Sequence, residues 1–287
     1  MRRPRAVRGL GGKFLSLFLN WFTRGLAVVG GVIAVLLGWP ITEAAWQATR
    51  ADATLYALRT LKRVDTREAT TSLEALNRAV ALDPVAGRYL VRSELLGTAP
   101  LIPTVTLDAA QRDDWLRRAR ADLVTGLANA PARGIDWLRL AALDQQLDGP
   151  SRRVVALLFA SIDLAGGIPQ AWPVQLRLIL DGWTFFTDGD KERLKRHVEM
   201  IWRHSALDRR LFANATGSAA DHAILTWFLR DVPDAPQELA RVIEKETKFI
   251  EQEKASRIEQ EKRRVEEERS RLEQERNRIL EREKIRR

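Results

Sequence analysis

The feature that most constrains this chain of 287 residues is a run without charge at residues 25–39. A membrane-spanning helix needs about 20 mainly apolar residues, and the apolar residues on either side supply that length. Aromatic residues typical of interfacial belts stand at both ends, at Trp21, Phe22, Trp39 and Trp46. The basic residues before the run are Arg2, Arg3, Arg5, Arg8, Lys13 and Arg24. We therefore expect a basic cytoplasmic N-terminus at residues 1–24 and a transmembrane helix at residues 25–46.

The basic flank also predicts the orientation of this helix. Basic flanks stay in the cytoplasm, so the chain beyond residue 46 is expected in the bacterial periplasm. A second basic group leaves the opposite topology open: Arg50, Arg59, Lys62, Arg63 and Arg67. A signal peptide cleaved near residues 42–44 is the alternative, but its basic region would be long and Glu43 would lie beside the cleavage site. The pattern favours an uncleaved single-pass anchor of the inner membrane over a signal peptide or a buried core helix.

Small residues recur within the predicted anchor at intervals of four, at Gly30, Ala34 and Gly38. Small residues at this spacing let a second membrane helix approach closely. Glycine is also common in membrane helices generally, so the spacing alone does not decide between a packing face and ordinary composition. These three residues are candidates for helix packing within the membrane.

The middle of the chain, residues 47–241, has apolar residues at helical spacing and no alternating pattern typical of a strand. Proline and glycine interrupt it at residues 83–84, 97–103, 131, 149–150, 166–169 and 188–190. Most segments between these breaks are roughly ten to twenty residues long, as in ordinary soluble helices. The predicted fold class is all-α.

Two segments of this region share one spacing of small and large residues. The matching sets are Ser72, Leu76, Ala79 and Pro84, and Ala119, Leu123, Gly126 and Pro131, followed by Trp137, Leu140 and Ala141. The pattern resembles the tetratricopeptide repeat, in which small residues let paired helices approach and proline ends the unit. The resemblance covers residues 50–167. The interval between the two prolines exceeds the 34-residue period, so a generic helical bundle stays open as an alternative.

The resemblance implies stacked helix pairs that bind extended segments of protein partners without catalysis. The whole plan is similar to membrane-anchored, tetratricopeptide-like accessory proteins of bacterial envelope assembly, particularly those of surface-polysaccharide synthesis and export. It implies a scaffold or adaptor that binds an inner-membrane enzyme or an envelope complex. A self-associating structural or cell-division scaffold is the alternative, with the anchor and the tail forming a homo-oligomer.

The sequence offers little to carry catalysis. The absence of cysteine excludes disulfides, thiolate catalysis and cysteine-ligated zinc. His197, His204 and His222 are too scattered for a compact metal site, and we expect them on the surface. The stretch that begins at Thr187 predicts a helix N-cap rather than a calcium loop. We expect no enzyme activity, no cofactor and no metal; a hydrolase would need two buried carboxylates facing a cleft.

A net charge of +9 is compatible with binding to nucleic acid, but the sequence has no basic face with interleaved aromatic residues. We therefore expect no nucleic-acid partner.

The C-terminal tail, residues 242–287, lacks glycine and proline and predicts a long charged helix. Ile258, Val265, Leu272 and Ile279 recur every seven residues, as along the seam of a coiled coil. The residues three places further on are charged, which weakens such a seam. Pairs such as Glu253 with Arg257, and Glu259 with Arg263, support a single solvated helix instead. The pattern favours the charged rod over the weak coiled coil.

Overall fold

The computed structural model describes residues 11–60 and 62–285, with side chains described at residues 21, 26, 28–60 and 62–273. This part of the chain is helical and holds no strand, which confirms the all-α prediction. The basic residues at positions 2, 3, 5 and 8 lie outside it. The chain divides into two compact units, residues 1–149 and 150–287.

The helices of the first unit are α1 Gly11–Thr49, α2 Asp52–Arg59, α3 Thr66–Leu82, α4 Ala86–Thr98, α5 Ala109–Asn129 and α6 Gly134–Asp148. The helices of the second unit are α7 Arg152–Ala165, α8 Trp172–Asp181, α9 Asp188–His204, α10 Arg210–Ala215, α11 Ala219–Leu229 and α12 Ala235–Ile285. Short 3₁₀ turns lie at Ala99–Leu101, Pro169–Ala171 and Trp183–Phe185.

Helix α1 contains a segment long and apolar enough to cross a membrane, Val28–Thr49, with a mean hydropathy of 1.7. It is the one such segment in the part of the chain that the structure describes. Only 6% of the segment is buried. A core helix would be covered by its own fold, so this exposure argues against the buried-helix alternative.

The C-terminal end of α1 belongs to the first unit rather than to a linker. Ala44 and Gln47 are buried, and this end of α1 packs against α3. Arg88 of α4 reaches across and donates from Nη2 to the carbonyl oxygen of Ile41 at 3.5 Å. Helix α1 therefore continues directly into the packed helices of the first unit.

Helix α4 runs antiparallel to α5, because Gly126 near the end of α5 lies against Leu90 near the start of α4, and Gly97 near the end of α4 lies against Ala119. Capping boxes begin α3 and α5: Asp65 accepts from the backbone of Glu68, and Asp108 accepts from the backbone of Gln111. Each box satisfies two backbone donors that a helix start leaves free. Helices α4 and α5 approach closely along their length, as the environment of Gly126 shows below.

The second unit has its core among the aromatic residues of α8 to α11. Trp172, Trp202, Phe212 and Phe228 are fully buried. Trp202 and Phe212 meet edge to face at 5.0 Å between ring centroids. Thr187 caps α9 in a capping box with Asp190, which confirms the predicted N-cap.

Helix α12 begins in the packed core of the second unit and then extends out of that core. Near its start Leu239 is buried, and Arg210 of α10 forms an ion pair with Glu246 at 2.9 Å. From residue 247 to residue 273 every side chain is exposed. The predicted pairs Glu253–Arg257 and Glu259–Arg263 are both formed, each at 2.5 Å.

Candidate interaction surface

An ion-pair ladder crosses the row of helices α2, α4 and α6 in the first unit. Arg59 of α2 holds Glu94 of α4 with two parallel hydrogen bonds, 2.6 Å from Nε and 2.7 Å from Nη2. Arg139 of α6 approaches the same carboxylate from the other side at 3.2 Å. Bidentate arginine–carboxylate contacts are strong and geometrically specific, so Glu94 ties three helices together.

A second carboxylate extends the ladder along α6. Asp136 accepts from Arg139 at 3.0 Å and from Arg133 at 2.7 Å. Both carboxylates are buried, whereas Arg59 keeps 58% of its side chain exposed and Arg133 keeps 56%. Three guanidinium groups therefore lie against two buried carboxylates, and this set of side chains is here called the arginine row.

The arginines determine the ionisation of Glu94. Burial by itself would raise the pKa of this carboxyl, but the hydrogen bonds and charges of Arg59 and Arg139 outweigh it and lower the pKa below its ordinary value. The hydrogen bond to Glu94 in turn raises the pKa of Arg59. Glu94 is therefore ionised at neutral pH.

A separate set of contacts joins α3, α4 and α5 on the opposite side of α4. Arg92 holds the buried Asp122 with bonds of 2.7 and 2.6 Å. Arg92 and Arg118 also donate to Asn77 Oδ1, at 3.1 and 3.3 Å. Helix α5 is further linked to α6 by Arg120, which lies 2.7 Å from the buried Asp144. These contacts determine which faces of α3, α4, α5 and α6 pack against each other.

Each buried carboxylate described in the first unit is paired with an arginine. The buried carboxylates of the first unit are Glu94, Asp122, Asp136 and Asp144, and each lies within ion-pair distance of an arginine. An ion-paired carboxylate of lowered pKa, as at Glu94, donates no proton near neutral pH. Within the described residues no three His, Cys, Asp or Glu side chains cluster as a metal site would require. The arrangement can order helices and attract anionic groups.

The prediction that the histidines lie on the surface is wrong for His197, which is only 7% exposed. The apolar neighbours Leu194, Val198 and Ile201 share its helix face and carry it into the core. Its Nε2 lies 3.0 Å from Gln175 Oε1, and Gln175 donates to the buried Ser161 at 3.2 Å. Burial lowers the pKa of His197 to about 4, so the ring is neutral at physiological pH.

The other two histidines differ from His197. His204 is exposed and lies 2.6 Å from Asp208, while His222 is half-buried. The three side chains therefore stay in separate environments and do not form one site.

Most of the residues of the two matching segments lie inside the first unit. Buried members are Ser72, Leu76, Ala79, Ala119, Leu123, Gly126, Leu140 and Ala141. Pro84 and Pro131 are exposed in the loops after α3 and α5. Trp137 is half-buried and donates from Nε1 to the carbonyl oxygen of Pro131 at 2.7 Å. Ser72 donates to Thr54 Oγ1 at 2.8 Å, which joins α3 to α2.

The predicted packing positions of the anchor and the tail are solvent-facing. A side chain added at Gly30 or Gly38 would meet nothing within 4 Å, and Ala34 is exposed. In the tail, Ile258, Val265 and Leu272 are all more than half exposed. Ile279 lies outside the residues whose side chains are described.

The arginine row was missed by sequence reasoning. Arg59 and Glu94 are 35 residues apart, so no local spacing connects them. A signal did exist in Glu94 itself, because an acidic residue on the face that carries buried leucines predicts a buried ion pair. Its partner becomes identifiable only once the helix pairing is known.

The chain matches no protein-family model, no curated protein and no solved structure. In the residues that the structure describes, the fold defines an all-helical protein with one helix long and apolar enough to cross a membrane.

Proposed function

We propose that this protein is a membrane-anchored, non-catalytic adaptor of the bacterial inner membrane. Helix α1 crosses the bilayer, and the first unit binds an acidic segment of a partner protein along the arginine row. The observation that carries the proposal is that Arg59 and Arg133 are more than half exposed while the carboxylates they pair with, Glu94 and Asp136, are buried. Electrostatic complementarity of this kind directs association and selects partners.

The arrangement of the helices supports this proposal. A tetratricopeptide-like stack alternates two rows of helices, and one row meets the extended partner. Here α2, α4 and α6 form one row through Arg59, Glu94 and Arg139, while α3 and α5 approach through Asn77 and Arg118. Buried small residues such as Ala79, Ala119 and Gly126 sit where such a stack needs close helix approach. Assembly or export of a surface polysaccharide is the setting that the overall plan suggests.

The proposal is tested by photocrosslinking from two exposed positions of the full-length protein in cells. Tyr56 lies one turn before Arg59 on α2, and Val124 lies on α5, away from the row. A photoreactive residue at position 56 should trap a partner whose crosslinked peptide is acidic, and high salt should weaken the crosslink in isolated membranes. Position 124 serves as the matched control. Equal crosslinking from both positions, or a crosslink from position 56 that salt does not weaken, would contradict the arginine row as the binding surface.

The exposed stripe on α12 favours a second candidate, self-association through the tail. Ile258, Val265 and Leu272 lie on one face at heptad spacing and are exposed. Apolar residues at this spacing are the seam of helical dimers, although charged residues stand at the other seam positions here. In this reading the tail joins copies of the chain into a structural or division scaffold.

The two candidate functions differ in whether Ile258, Val265 and Leu272 join two copies of the chain. Sedimentation of the detergent-solubilised full chain should show a larger species that is lost when Ile258, Val265 and Leu272 are all replaced by glutamine. A matched control replaces the exposed Gln252, Gln260 and Ser270 by alanine. If both the unsubstituted chain and the triple glutamine variant are monomers, self-association is ruled out and the tail is a charged rod.

A further inference from the structure

We propose that the loop between α3 and α4, together with the loop between α5 and α6, rests on the phospholipid head-group layer where α1 leaves the bilayer. The inference rests on the proposed anchor, because it needs α1 to cross the membrane. It adds an interaction surface on the folded unit itself, and the partner is the lipid surface rather than a protein.

The height of the membrane boundary follows from α1. Trp21 and Trp39 are both exposed, and 18 residues separate them, which is about 27 Å along a helix. That length is close to the roughly 30 Å of a hydrocarbon core, and tryptophans prefer its two interfaces. Ile41 lies two residues beyond Trp39, about 3 Å further along the axis. The apolar segment Val28–Thr49 extends further, but Ala44 and Gln47 are buried against the first unit and so cannot face lipid. The boundary therefore falls before them, at the level of Trp39 to Ile41.

The α3–α4 loop lies at this same level. Arg88, near the start of α4, contacts the carbonyl oxygen of Ile41 at 3.5 Å and holds Asp83 at 2.6 Å. Further along, Ser72 in the middle of α3 meets Thr54 of α2. Helix α3 therefore runs back toward the membrane from Ser72, and the loop that follows it ends at the boundary.

The α5–α6 loop lies at the same end of the unit. A Cβ placed on Gly126, near the C-terminus of α5, would lie 2.5 Å from Leu90 Cδ2 and 3.4 Å from the carbonyl oxygen of Ala86. The last turn of α5 is therefore level with the first turn of α4. The loop at residues 130–133 follows that turn.

The exposed residues of this end suit a head-group layer. Leu82 is 41% exposed and Val85 is 48% exposed, and the exposed Pro84 lies between them. Arg133 of the second loop is ion-paired with Asp136 but keeps 56% of its side chain exposed, so it can also contact a lipid phosphate. Arg88 and Asp83 neutralise each other at the boundary, so no unpaired charge of this pair opposes contact with lipid. Apolar side chains beside a basic residue are the chemistry of interfacial membrane contact.

The packing of α1 on α3 fixes how the two loops are placed relative to the bilayer. Ala44 and Gln47 are buried against the unit, so the direction of the span and the direction of the helices are fixed together. The loops then meet the bilayer whenever α1 crosses it. Exposed apolar residues at the opposite end of the unit, such as Leu101, would not reach the bilayer.

The test uses depth-dependent quenching, for which the absence of cysteine leaves no background. Single cysteines at positions 33, 85 and 101 of the full-length protein carry an environment-sensitive fluorophore in vesicles of phosphatidylcholine and phosphatidylglycerol. Position 101 is the matched control, because Leu101 is 57% exposed but lies at the other end of α4. A cysteine at the exposed Ala132 reports on the second loop.

Nitroxide on the lipid head group should quench the probes at positions 85 and 132 and leave position 101 unchanged. Nitroxide on the acyl chain should quench position 33. Quenching at 33 without quenching at 85 and 132 would overturn the head-group contact and keep the anchor. No quenching at 33 would overturn the anchor and the contact together, and equal quenching at 85 and 101 would overturn the contact as a property of these loops.

Discussion

Gly126 of α5 lies so close to Leu90 of α4 that a methyl group on residue 126 would come within 2.5 Å of Leu90 Cδ2. Leu90 is buried, so its side chain has little room to move away. By contrast, a methyl group on Gly97 would lie 3.7 Å from Ala119 Cβ, an ordinary contact. Glycine is thus required at one crossing of these helices and not at the other.

Two glycine-to-alanine substitutions should therefore move stability in opposite directions. Gly126→Ala should lower the free energy of unfolding by about 1 kcal/mol or more, because overpacking exceeds the gain in helix propensity. Gly97→Ala should raise it by up to about 1 kcal/mol, because only the propensity changes. Thermal unfolding of both variants measures this. Stabilisation by both substitutions would show that α4 and α5 are further apart than described.

Removal of the Glu94 charge should loosen the row of α2, α4 and α6. Glu94→Gln leaves Arg59 and Arg139 facing a neutral amide. Breaking a fully buried pair costs about 3–5 kcal/mol, and the exposure of Arg59 reduces the expected loss to about 1–2 kcal/mol. Denaturant unfolding would measure it, with the exposed Glu74→Gln as the control, expected within about 0.5 kcal/mol of the unsubstituted chain. Equal effects of the two substitutions would mean that the ladder contributes nothing to stability.

His197 should make the second unit sensitive to acid. Its pKa is about 4 in the folded protein against an ordinary value of 6.5, so acid favours the unfolded state, which takes up the proton first. Stability should be full above pH 6.5 and fall by about 3 kcal/mol on going to pH 4. His197→Gln keeps a donor for Gln175 and should remove this part of the pH dependence. His204→Gln, at an exposed histidine, should retain it, and a steep fall in the His197→Gln variant would contradict the assignment.

The sequence predicts the helices of this protein better than it predicts their contacts. Pro84 and Pro131 mark loops, and Thr187 marks the start of α9, because proline and capping chemistry act locally. The continuation of α1 into the first unit depends on the packing of Ala44 and Gln47 against α3, which composition does not reveal.

The candidate site was less predictable than the fold. Its ion pairs join residues that are tens of positions apart, and their positions depend on how α2, α4 and α6 align. The burial of His197 was open to prediction, because apolar residues flank it at helical spacing on α9. The sequence predicts where the helices lie along the chain, but not which helices pack against each other.

Helix α1 has two roles, as the membrane anchor and as a packed helix of the first unit. Alkaline extraction of membranes, applied to the full chain and to a chain that begins at Ile41, tests this dual role most directly. The full chain should stay in the membrane with its N-terminus intact, while the shorter chain should be soluble and unfold at an unchanged temperature, because it keeps Ala44 and Gln47. Release of the full chain, or retention of the shorter one, would contradict the role assigned to α1.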